Sequence, residues 1–157
     1  MVNTSSNLNQ MTSAAGESSN KVKPELADFA GKWRLMRKIV QHNGDVFEFA
    51  GDAAFCWREG LLIYKETGLV TAPNGTKMDA ERSYLWRRGA DSKIDVFFDD
   101  NRFFHSFSRH QPVAHHHCGD DHYRVNYTFD TWPVWQSIWK VDGPRKDYKM
   151  TSHYYPV

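Results

Sequence analysis

Between residues 105 and 123 the chain gathers side chains that could bind a metal or move protons. His115, His116, His117 and Cys118 are consecutive, with His105 upstream and Asp121 and Tyr123 just downstream. His116 and Cys118, at i and i+2, would share one face of an extended segment. A zinc centre usually takes three or four protein ligands, so this pair would need His105, Asp121 or another histidine to converge on it. Adjacent histidines on a solvated loop are the commoner explanation, and no metal ligands are assigned. Cys118 as a nucleophile with His116 or His105 as its base has the required residue types, provided the two come within hydrogen-bond reach. No G-x-S-x-G elbow, phosphate-cradling Gly-rich loop or H-E-x-x-H occurs in the sequence. The residues therefore leave open whether the protein is an enzyme, and they name no cofactor.

A second set of polar residues lies among aromatic ones. Tyr64 and Glu66 alternate on one segment, and Arg82, Tyr84 and Trp86 alternate on another. If the turn between the segments centres on Pro73 and Asn74, a register summing to 148 puts Glu66 opposite Arg82, Tyr64 opposite Tyr84 and Leu62 opposite Trp86. A slip of one residue would break all three pairs. An arginine facing an aromatic interior needs an anionic or carbonyl partner. Glu66 is the expected one, either as a purely structural ion pair or as a pair whose spare guanidinium donors meet a ligand.

These residues need strands to position them. From Phe29 onward the pattern is mostly period two, in short aromatic and β-branched segments broken by Gly, Asp, Asn and Pro about every ten residues. Strands are expected at Gly31 to Gln41, Val46 to Trp57, Leu61 to Leu69, Lys77 to Arg88, Lys93 to Asp99, Arg102 to Ser108, His122 to Asp130, Val134 to Val141 and Asp147 to Tyr155. The stretch Arg109 to Gly119 reads as a long polar loop, and Pro24 to Asp28 as a short helical plug. So many consecutive antiparallel strands would leave two exposed edges unless the sheet closed on itself. The expected fold is thus all-β, an antiparallel up-and-down barrel of about nine or ten strands. Residues 1–26, rich in Ser, Thr and Asn, are expected to be a disordered tail, and residues 27–157 the barrel domain.

Composition narrows the function. Twenty Lys+Arg balance nineteen Asp+Glu, a formal net charge of +1 in 157 residues. No global field draws the chain to nucleic acid or to an acidic membrane. No run approaches the roughly 20 apolar residues of a spanning helix. No signal-peptide pattern opens the chain, and two cysteines, Cys56 and Cys118, do not make a disulfide framework. A soluble, cytoplasmic protein with reduced thiols is expected. The six Trp, seven Tyr and ten Phe suffice for a large core or an apolar cavity.

The segment Phe29-Ala-Gly31-Lys-Trp33 carries a Gly-x-Trp on the opening strand, which resembles the lipocalin and wider calycin barrel signature, where the Trp plugs the closed end. The rest resembles an uncharacterised family of small lipocalin-like proteins, the domain of unknown function numbered 6314. The resemblance runs through Tyr64-Lys-Glu66-Thr-Gly68, Arg82-Ser-Tyr84-Leu-Trp86-Arg87, Phe104-His105-Ser-Phe107, Ala114-x-His116-x-Cys118-x-x-Asp121-x-Tyr123 and Trp139-x-Val141-x-Gly143-Pro144-x-Lys146-Asp147. It covers about Phe29 to Tyr155. It implies a calycin-type barrel and brings no established activity. The triple histidine departs from the single histidine expected before the Cys position.

Three readings follow. One is a barrel holding a small amphipathic or aromatic ligand, with Tyr64, Glu66, Arg82, Tyr84, Trp86, His105, His116, Cys118, Asp121, Tyr123 and Trp139 as candidate ligand-binding residues. The second is a pocket enzyme promoting proton transfer or isomerisation with His116 or His105 as base. The third is a structural barrel with a filled lumen, acting through its surface or as a homodimer.

Overall fold

The computed structural model describes residues 23–157, so most of the expected tail lies outside the described residues. Ten strands follow one another: β1 (Gly31–Gln41), β2 (Val46–Arg58), β3 (Leu61–Thr71), β4 (Lys77–Arg88), β5 (Lys93–Phe98), β6 (Phe103–Ser108), β7 (Val113–Cys118), β8 (Asp121–Thr128), β9 (Trp135–Asp142) and β10 (Asp147–Pro156). All pair antiparallel in one sheet ordered β6-β5-β4-β3-β2-β1-β10-β9-β8-β7. Tight turns make this meander possible. Between β2 and β3, for example, Glu59 and Gly60 both take positive φ, 51° and 79°, which suits the right-handed twist of the flanking strands. The first and last strands pair along their length, with Leu35 opposite Tyr154 and Ile39 opposite Met150, and this pairing curls the meander into a nearly closed barrel. The edges β6 and β7 face each other without a ladder. They are tied at one end by the Ser108–Gln111 turn, whose amides and carbonyls bond reciprocally at 3.1 and 3.3 Å.

One expectation about the strands needs correction. The stretch from Arg109 to Gly119 is not a long loop, because Val113–Cys118 is a strand, laddered to β8 with His116 opposite Tyr123 and Cys118 opposite Asp121. The segment does alternate, with Ala114 buried and His115 and His117 exposed. Its polar composition hides that pattern, while pairing with it covers what would otherwise be an open β8 edge.

One end of the barrel is closed by a single 3-10 turn, Leu26–Phe29, whose Leu26 and Phe29 are buried. The Phe29 ring sits 5.1 to 5.8 Å from the rings of Phe55, Trp86, Phe129, Trp132 and Trp135. Trp33 of the Gly-x-Trp segment packs beside it and donates its indole N–H to the Phe29 carbonyl at 2.9 Å. Glu25 begins the turn, exchanging backbone and side-chain hydrogen bonds with Asp28. Its carboxylate also pairs with Arg109 at 3.1 Å, which fixes the plug to the β6–β7 turn.

The β2–β3 contact depends on two facing glycines, Gly51 and Gly68. A Cβ on Gly68 would run into the Ala50 carbonyl oxygen and the Phe49 ring. Gly68→Ala is expected to destabilise the barrel by about 1–3 kcal/mol through this overpacking, measured by urea unfolding.

Candidate functional site

Alternation along the strands aims one set of side chains into the barrel. Below its open end these enclose a cavity lined by Arg37, Tyr64, Glu66, Arg82, Tyr84, Trp86, Val96, Phe104, His105, Tyr127, Trp135, Ser137, Trp139, Met150 and Tyr154. The enclosed space is about 30 Å³, within a funnel of about 430 Å³ that includes space open to solvent. By their places on the strands, half-buried Ile39, Val70, Phe98, Tyr123 and Tyr148 ring the funnel's mouth.

The expected Glu66–Arg82 ion pair does not form. Their Cα positions are opposite, as the register required, but Glu66 is bound by Arg37 of β1. The two guanidinium nitrogens Nη1 and Nη2 reach Glu66 Oε1 and Oε2 at 2.6 and 2.8 Å, and Arg37 Nε donates to Ser152 Oγ at 2.7 Å. The Arg37 guanidinium also lies 5.3 Å over the Phe49 ring. A strand-opposed position sets the backbone neighbour, whereas a side chain as long as arginine can reach from two strands away inside a narrow barrel. Arg37 was legible in principle, since Trp33, Leu35, Arg37 and Ile39 alternate on one face of β1.

Tyr64 donates its hydroxyl proton to Glu66 Oε2 and shares a 2.9 Å hydrogen bond with the Tyr154 hydroxyl. Burial works against a charge on Arg37, but its bonds to Glu66 more than offset this and its pKa is raised. Burial raises Tyr64 well above the ordinary tyrosine value and Tyr154 to about 12, so both phenols stay protonated. The group is a closed, satisfied network, with its one cation matched by its one anion.

Arg82 is different. Its nearest described partner is the Tyr84 hydroxyl, at 3.4 Å, and no carboxylate lies within 4 Å of it among the described residues. Deeper in, His105 is 1 % exposed. Its Nε2 meets the Tyr127 hydroxyl at 2.8 Å, while Nδ1 is buried with no partner. Burial, helped by nearby His116, lowers its pKa to about 3. It faces inward with Phe107 by ordinary alternation, opposite buried Val96, and just beyond it the β5–β6 register shifts at Val96/Phe97. That irregularity allows both Phe104 and His105 to be buried, against strict alternation.

Of the sequence-predicted residues, Tyr64, Glu66, Arg82, Tyr84, Trp86, His105 and Trp139 therefore line one cavity. The other four stand toward the rim or outside it. His116 is half-buried and packs 5.2 Å from the Phe104 ring and 6.1 Å from Tyr123. Asp121 pairs with Lys146 at 3.1 Å, and Lys146 also donates to the Tyr123 hydroxyl at 3.1 Å. These two bonds raise the Lys146 pKa, so this lysine is held charged. Gly143 sits against this bridge, and a Cβ there would strike the Asp121 carboxylate. Cys118 is exposed, as is Cys56, and both are free thiols. No hydrogen bond joins Cys118 to a histidine, and no group of three potential metal ligands gathers, among the described residues.

A model of a family of unknown function, DUF6314, matches residues 29–156. The chain belongs to this family. No curated protein matches the sequence. Among solved structures, the barrel is similar to that of the S-type phycobiliprotein lyase CPES from Guillardia theta, with a TM-score of 0.57 and 9 % sequence identity. The match covers 86 % of this chain and 94 % of that one, and at this identity it speaks for the fold. No described helix is long and apolar enough to cross a membrane.

Proposed function

We propose that the barrel binds a small anionic amphipathic molecule, its carboxylate held at the mouth by Arg82 and its apolar body among Tyr84, Trp86, Phe104 and Trp139. The observation that carries this reading is the charge balance of the lumen. Arg37 is neutralised by Glu66, His105 is uncharged near neutral pH, and Arg82 remains as the one cation of the cavity wall without an anion beside it. A ligand carboxylate would meet its planar fork of donors. The aromatic walls with a few polar groups suit a small-molecule site, and a binding barrel accords with the fold shared with the lyase.

A general base works best with a pKa near the working pH. His105, at about 3, is a weak one, and His116, whose pKa burial also lowers, is not part of the cavity wall, which together favour binding over proton-transfer chemistry. The enclosed 30 Å³ has room for little more than water, so ligand entry requires wall side chains such as the half-buried Tyr84 ring to move outward. The same small volume supports a filled, structural lumen as the competing reading.

Titration of aromatic and aliphatic monocarboxylates, followed by the fluorescence of the lumen tryptophans, separates the two. At least one carboxylate is expected to bind and its primary amide to bind far more weakly. Arg82→Met is expected to weaken the acid on the order of 10- to 100-fold, the worth of a charge-assisted hydrogen-bond pair. Unfolding free energy should change little, because Arg82 reaches solvent. Equal affinity for acid and amide, or a variant that binds as wild type, contradicts the proposal.

A further inference from the structure

The deep end of the same lumen holds polar atoms that the folded chain leaves unpaired. His105 Nδ1 and Trp135 Nε1 are both buried without a partner, and both residues line the cavity. Buried polar groups are rarely left this way, and each favours whatever polar atom can reach it. Building on the carboxylate-binding reading, we infer that the lumen selects ligands that carry a hydroxyl at the end remote from their carboxylate, received by His105 Nδ1.

Register places the two ends apart. His105 is opposite Val96, and Val96 is opposite Trp86, so His105 lies at the level of Trp86. Arg82 is four residues from Trp86 on the same strand, about 13 Å along it at the usual rise. The Tyr84, Trp86, Phe104 and Trp139 rings line the space between. The Arg82 guanidinium leans toward the Tyr84 hydroxyl, 3.4 Å away, so a molecule reaching from it to His105 is shorter than this separation, flat, apolar in the middle and polar at both ends.

The receiving atom also selects the type of polar group. Near neutral pH His105 carries one ring proton and one lone pair. The Tyr127 hydroxyl at Nε2 can donate or accept, so Nδ1 presents a lone pair in one tautomer and an N–H in the other. A hydroxyl satisfies both states, whereas a carbonyl satisfies one and a methyl neither. A second carboxylate or an ammonium would have to leave water without a counter-charge at that depth. The Trp135 indole only donates, and a hydroxyl oxygen is an acceptor for it.

The test uses matched probes on the full chain by calorimetry at pH 7: phenylacetate against 4-hydroxyphenylacetate, cinnamate against 4-hydroxycinnamate, and 2-naphthoate against 6-hydroxy-2-naphthoate. In at least one pair the hydroxylated acid is expected to bind tenfold or more tightly. Its 4-methoxy or 6-methoxy ether should lose that advantage. In His105→Phe the ratio within the pair should fall toward one, while Arg82→Met should weaken both members and leave the ratio in place. If His105→Phe does not fold, the hydroxyl-to-ether comparison on the wild-type protein still decides. Equal binding within every pair, with Arg82→Met weakening both members, would overturn the hydroxyl selectivity and leave the carboxylate site standing. Binding of no acid in the panel would overturn both.

Discussion

Removing one partner of the Arg37–Glu66 pair is expected to cost the barrel about 3–5 kcal/mol, a large share of the roughly 5–15 kcal/mol that holds a domain together. Each variant, Arg37→Met or Glu66→Ala, leaves the other charge in the lumen, where their side chains are only 9 % and 3 % exposed. Glu66→Ala also leaves the Tyr64 hydroxyl with Tyr154 as its one remaining partner, and Arg37→Met strands Ser152 Oγ. The double variant Arg37→Met/Glu66→Ala is expected to be more stable than either single one, because a charge-free lumen carries no unpaired ion. Urea unfolding of all four proteins gives the coupling energy directly. Single-variant losses below about 1 kcal/mol, the range of an exposed pair, would show that water reaches the pair and that the network is not a closed structural unit.

The second large effect is an acid dependence of stability carried by His105. Its pKa is about 3 in the folded barrel against an ordinary 6.5, so between these values the unfolded chain binds a proton that the folded one excludes. A protonation favoured by the unfolded state lowers stability as pH falls. This group's contribution is fully present above about pH 6.5 and is lost progressively as pH falls toward 3. At about 1.4 kcal/mol per unit the full loss is roughly 5 kcal/mol at most. Comparing wild type with His105→Gln isolates the effect from the carboxylates, which titrate in both. Unfolding free energies measured from pH 7 to 4 are expected to fall more steeply in the wild type. Parallel curves would place His105 in contact with water.

Much of this arrangement was legible in the sequence because alternation and turn chemistry are local. The turn at Pro73 and Asn74 and the period-two pattern on either side fixed the β3–β4 register, and Leu62–Trp86, Tyr64–Tyr84 and Glu66–Arg82 are opposed as expected. Trp33 and the Leu26–Phe29 turn close one end, as the Gly-x-Trp resemblance and the short helical signal implied. What local pattern could not supply was how side chains reach across a closed lumen. Arg37 displaces Arg82 as the partner of Glu66 because β1 lies just beyond β2 in the sheet, and on the concave inner face an arginine reaches across β2 to β3. That substitution turns Arg82 from half of an ion pair into the unmatched charge of the site. The burial of both Phe104 and His105 depends on a register shift that no alternation rule predicts, and β7 was hidden by three histidines where a strand usually shows β-branched residues. Seven of the candidates share the cavity because several inward strand faces converge there. Cys118 stays exposed because its strand carries it past the last enclosed layer, and Asp121 is drawn to Lys146 at the rim.

The central claim is that Arg82 holds an acidic small molecule in this lumen, and native mass spectrometry of the purified full chain tests it most directly. After soaking with the aromatic monocarboxylates, the wild-type protein is expected to carry one acid per chain, lost on denaturation, and Arg82→Met to remain largely bare under the same conditions. A wild-type protein that stays bare, or an Arg82→Met variant that retains the acid equally well, would contradict the account and leave the barrel with a filled, structural lumen.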